Sequence, residues 1–154
     1  MNRLDRKELN DKTWEVIRLY SKASKAGFKI EEIVLFNYML RSRLLLIIEM
    51  KCIEGGNPFK DKWLRNETNE LASTAYVLGG IDKILLDDLK NYYEKIRSYL
   101  IHKLITEPLD LEVFENFDKS RDTLQTRLQE ALGIKIKITE VNKSEDSSST
   151  KPNI

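Results

Sequence analysis

The chain reads as all-α: an up-and-down bundle of about five helices, a short extended arm and a disordered C-terminal tail. Three observations predict this. Apolar residues recur every three or four positions over most of residues 7–133, the period of an amphipathic helix. Glycine and proline fall between those periodic stretches and not within them. With 154 residues and 41% hydrophobic content, one domain has enough apolar matter for a core, and 33% charged residues can cover its outside.

The first helix is expected over about residues 7–25, where Leu9, Thr13, Val16, Ile17 and Tyr20 share a face and Gly27 closes the end. The second runs from about Ile30 to Glu54, with Ile30, Val34, Leu44, Leu45, Ile48 and Cys52 on one broad face. Leu46 and Ile47 make it apolar on more than one side, the mark of a central helix. Gly55-Gly56-Asn57-Pro58 breaks the chain. Trp63, Leu64, Leu71, Ala75 and Leu78 outline a third, shorter helix, ended by Gly79-Gly80. In the fourth, Ile81, Leu85, Leu89, Tyr92, Ile96 and Leu100 step along one stripe, and Thr106-Glu107-Pro108 stops it. Asp110 is placed to cap a fifth helix whose inner side carries Phe114, Phe117, Arg121, Leu124, Leu128 and Ala131, and Gly133 sits just past its end. This bundle, residues 7–133, is one domain. Residues 134–154 are different: Ile134 to Thr139 alternates with period two as an extended arm, and from Asn142 the tail is polar and expected to be disordered.

The formal net charge of +1 gives no global attraction to a polyanion, so nucleic-acid binding would need a local basic patch. Cys52 is the only cysteine, which excludes an internal disulfide and suits a reducing, cytoplasmic setting. The first residues are charged and the apolar runs are short, so neither a secretory signal nor a membrane span is expected. One histidine cannot supply a di-iron site, no paired-cysteine zinc motif exists, and neither Gly-Gly pair belongs to a nucleotide loop. No metal and no cofactor are expected.

The residues that carry candidate chemistry close the fourth helix: Tyr93, Lys95, Arg97, Ser98, Tyr99, His102 and Lys103. Arginine offers a permanent charge on a planar donor fork, and histidine a proton acceptor and donor near neutrality. Ser98 lies one turn before His102. Arg97, four residues, then His102, at the end of a late helix in an all-helical chain, resembles the HEPN superfamily, whose signature is Arg-x(4–6)-His with a polar residue after the arginine. The motif spans six residues and the fold resemblance about residues 7–132. That polar residue is most often Asn in the family and is Ser98 here. The toxins paired with nucleotidyltransferase antitoxins often carry Tyr two residues after the His, where this chain has Leu104.

The resemblance implies a homodimer with the motifs facing across the two-fold axis. It implies a metal-independent endoribonuclease of toxin or defence type, with an antitoxin or other protein as a further partner. His102 would move the 2′-hydroxyl or leaving-group proton, Arg97 would hold the scissile phosphate, and Ser98 would assist. Lys95 and Lys103 would add positive potential, and Tyr93 and Tyr99 would stack bases. Other members of the family are inactive and bind a partner protein or RNA.

Elementary geometry sets the test. On an ideal helix Arg97 and His102 stand about 140° apart. They become one site if the last turn rewinds or if a second chain completes the cleft. The enzyme needs both side chains accessible in that cleft, whereas an adaptor can bury or separate them. The competing structural roles are an Arg97 ion pair with Glu94, a His102 bond to the last helix carbonyls, and core positions for Tyr92 and Tyr99. Arg41 and Arg43 are expected to pair with neighbouring acids, Arg43 or Lys51 with Glu49.

Overall fold

The computed structural model describes residues 6–103, 106–108 and 110–133. The side chain of Leu9, Leu104, and the arm and tail from residue 134 onward lie outside the described residues.

The described chain is an all-α bundle. Helix α1 (Arg6–Ala26) ends at Gly27, whose φ of 75° lets the chain reverse at once into α2 (Lys29–Glu54). The two form an antiparallel hairpin, and α2 lies at the centre. Its inner face is Ile33, Phe36, Leu40, Leu44, Ile47 and Ile48, all buried. Ile30 and Val34, expected on that face, are instead 42% and 46% exposed. The stripe follows Ile33 and Phe36 because neighbours pack against α2 from several sides, so the widest apolar arc did not settle which edge stayed open.

The region expected as one third helix is two elements. Trp63 and Leu64 belong to a short 3-10 helix (Asp61–Arg65), and α3 (Thr68–Val77) starts after an extended break at Asn66 and Glu67. The break holds because Arg41 binds the backbone oxygens of Leu64 and Asn66, and Glu67 N–H donates to Glu70 Oε2 at 2.9 Å. Thr68 Oγ1 lies 3.1 Å from Asn37 Oδ1, and Gly80, beyond the far end of α3, abuts Ile47. Thus α3 runs parallel to α2, and residues 55–67 form the return connection that makes this possible.

The fourth rod has three continuous parts: α4 (Lys83–Tyr92), a π-helical segment (Tyr93–Arg97) and α5 (Ser98–His102). Asp82 caps it, accepting from Leu85 N–H at 2.7 Å. In the π segment Ser98 N–H donates to Tyr93 O, five residues back. Helix α6 (Leu111–Ala131) begins as expected with Asp110 accepting from Glu112 N–H at 2.9 Å, and Gly133 follows its end with φ of 73°. The core meets at Phe36. Its ring lies 5.7 Å from Tyr92 and 5.5 Å from Phe117, both edge-on, and 6.0 Å from Tyr20. One residue of α2 thereby ties α1, α4 and α6 together. A buried ion pair braces the same region: Glu32, fully buried, accepts from Arg121 at 2.8 Å and pairs with Lys29 at 3.3 Å. No helix of the described residues is long and apolar enough to cross a membrane.

Candidate functional site

Two residues of the motif segment, Tyr93 and Arg97, share one fixed arrangement with Glu67. The π turn places Tyr93 and Arg97 one above the other. Arg97 Nη1 donates to Tyr93 Oη at 2.9 Å, and its guanidinium carbon stands 4.8 Å from the Tyr93 ring centre. Arg97 Nη2 donates to Glu67 Oε2 at 2.8 Å, so the partner comes from the start of α3 and not from Glu94 on the same rod. Arg97 is 16% exposed and its Nε is buried with no hydrogen-bond partner among the described residues. The guanidinium is therefore oriented by two side chains and has its positive charge matched by a carboxylate.

His102 is on the other side of the rod. Lys103 N–H donates to Tyr99 O at 2.8 Å, so the last turn stays α-helical and brings no rewinding that would carry His102 toward Arg97. The roughly 140° separation therefore persists within one chain. His102 is exposed, and its backbone oxygen accepts from Thr106 Oγ1 at 3.2 Å. Ser98 is half-buried. Lys103 is exposed and lies 3.7 Å from Glu107.

The other expected contacts separate as well. Tyr99 is buried. Its hydroxyl donates to Pro108 O at 3.1 Å and accepts from Asp110 N–H at 2.8 Å, which pins the turn into α6 and leaves no ring face for a base. Lys95, two residues before Arg97, projects to the opposite side of the rod and lines a cleft against α6. Tyr92 is a core residue, and burial pushes its phenol well above the usual range. Its hydroxyl has no partner among the described residues. Arg41 binds backbone oxygens and pairs with no acid among the described residues. Arg43 has no carboxylate partner among the described residues; its Nη1 is buried, and desolvation lowers its pKa. Lys51 pairs with Glu54 at 2.6 Å.

Sequence reasoning missed two features that define this site, Glu67 and the π segment. Glu67 was hidden because it lies thirty residues before Arg97 and only the parallel α3 brings it near. The π segment was hidden because the apolar stripe from Leu85 to Ile96 keeps ordinary helical spacing. Among the described residues no cluster of His, Cys, Asp and Glu is arranged to hold a metal. Comparison with protein-family models, curated proteins and solved structures found no match to the chain.

Proposed function

We propose that this chain is a HEPN-like helical adaptor that binds a partner protein and, acting alone, does not cut RNA. One observation carries the reading: Arg97 is held by Glu67 and Tyr93 while His102 stands on a different side of the rod. A phosphate approaching Arg97 meets a guanidinium whose charge Glu67 already balances, and His102 does not stand beside it. A module of this kind acts through its surface. Ile30, Val34 and Tyr38, spaced by four along α2, are 42%, 46% and 54% exposed and suit an apolar partner.

A second reading, a dimeric metal-independent endoribonuclease of toxin or defence type, rests on a different observation. The π segment ends on Arg97, and π turns are frequent at functional sites. Arg97 of one chain and His102 of a second would then form the RNA-cleaving pair, and an antitoxin would be the natural partner.

A cleavage assay on a broad RNA panel, with EDTA present, separates the two. The adaptor reading expects no cleavage by the wild type. It also expects His102→Ala to leave stability unchanged and Arg97→Ala to lower it by about 1 kcal/mol, since the pair with Glu67 is partly exposed. Products ending in a 2′,3′-cyclic phosphate, lost in both His102→Ala and Arg97→Ala, would overturn the adaptor in favour of the ribonuclease.

A further inference from the structure

A second feature lies across the rod from Arg97 and does not depend on the adaptor reading. Where the α4 and π segments face α6, a cleft of about 290 Å³ opens to solvent. Its floor is apolar, formed by Ile96 and Leu124, both buried. Its walls are polar: Asn91 and Lys95 from one side, Asn116, Lys119 and Thr123 from the other. The pair between Arg127 Nη1 and Asp88 Oδ2, at 2.5 Å, closes one end and fixes the register of the two helices. Lys95, from the π segment, and Lys119, from α6, both line this cleft.

These two lysines line one cleft from different helices. Neither has a carboxylate within 4 Å among the described residues, although Glu94 and Glu115 are close in sequence. The one acid in the cleft wall, Asp88, is already paired with Arg127. Two like charges lining one cleft repel, and an anion seated between them offsets that repulsion. The asparagine amides and the Thr123 hydroxyl add neutral donors on the same walls, and the apolar floor offers a surface to the non-ionic part of a ligand.

We propose that this cleft is a binding site for a small phosphate monoester, with Lys95 and Lys119 as the charge partners of the phosphate. Asn91 and Asn116 hydrogen-bond the polar part of the ligand. Ammonium groups are point-charge phosphate partners and need no bidentate geometry, which suits flexible lysines on opposing helices. The volume accommodates a phosphate with a compact organic group attached and is too small for a stretch of folded macromolecule.

The test is calorimetric titration of the full chain at low salt with four probes: inorganic phosphate, adenosine monophosphate, adenosine, and a phosphoserine peptide. Binding of the monophosphate, weakening with added salt, is expected, with no binding of adenosine. Tighter binding of the peptide than of the monophosphate would identify a phosphorylated protein side chain as the source of the same chemistry. Lys95→Gln or Lys119→Gln alone should weaken binding about fivefold, and the double variant more than tenfold. Lys90→Gln, on the same rod and outside the cleft, should change nothing. Two results would overturn the site: no heat with any phosphorylated probe at millimolar concentration, or equal affinity in wild type and the Lys95→Gln/Lys119→Gln variant. Melting curves of each variant show that loss of binding is not loss of fold.

Discussion

Replacing Arg121 by methionine isolates the buried ion pair that braces α2 against α6. Glu32 is fully buried and Arg121 is 22% exposed, and their atoms are 2.8 Å apart. Removing one partner of such a pair leaves a carboxylate without its main counter-charge in a low-dielectric setting, at about 3–5 kcal/mol. Two features pull the value to the low end. Lys29 remains 3.3 Å from Glu32, and methionine retains part of the packing that Arg121 makes over Phe117, 5.8 Å from the ring centre. We expect Arg121→Met to destabilise by about 3 kcal/mol, or about 9 °C in Tm for a chain of this size. Urea unfolding followed by far-ultraviolet circular dichroism measures it, with the denaturant slope unchanged if the native and unfolded states keep their compactness. Two companions make the result specific. Asp122→Asn removes an Arg121 partner that is 78% exposed and should shift stability by less than about 0.5 kcal/mol. Glu32→Leu combined with Arg121→Met should be less damaging than Arg121→Met alone, because no buried charge is then stranded. A loss below about 1 kcal/mol in Arg121→Met, or a double variant worse than the single one by the full sum, would refute the reasoning.

Tyr92→Phe should be neutral or stabilising by up to about 1 kcal/mol, since the hydroxyl it removes is buried without a partner among the described residues. The pH dependence follows from the same residue. The folded state raises the phenol above its ordinary value of 10.0, so its contribution is complete below about pH 10 and is lost as pH rises through the folded value. Stability measured from pH 9 upward should fall less steeply in Tyr92→Phe than in the wild type, and parallel curves would contradict this. Gly80→Ala should destabilise by about 1–3 kcal/mol, because the added Cβ would stand 2.4 Å from Ile47 Cγ2 where the α3–α4 turn crosses α2. A thermal melt unchanged from wild type would show that Ile47 moves aside freely.

The sequence by itself determined the helical architecture and most of its punctuation. Gly27 and Gly133 end helices because their positions need a left-handed backbone, and Asp110 begins one because its side chain satisfies a free N–H group; these are local effects. The inward face of α6 was legible from its spacing, including the position of Arg121. What Arg121 meets there was not legible, because Glu32 lies 89 residues away along the chain. The same limit governs the candidate site. Periodicity placed Arg97 and His102 on opposite flanks of one rod, and the α-helical last turn keeps them there. The parallel course of α3 decided that Glu67 takes Arg97, and a π turn with no mark in the apolar stripe decided where Arg97 sits over Tyr93. Local rules act over three or four residues, so they set each helix and its caps. Which charges meet depends on how the helices are laid side by side, and that is fixed by packing of the whole core around Phe36.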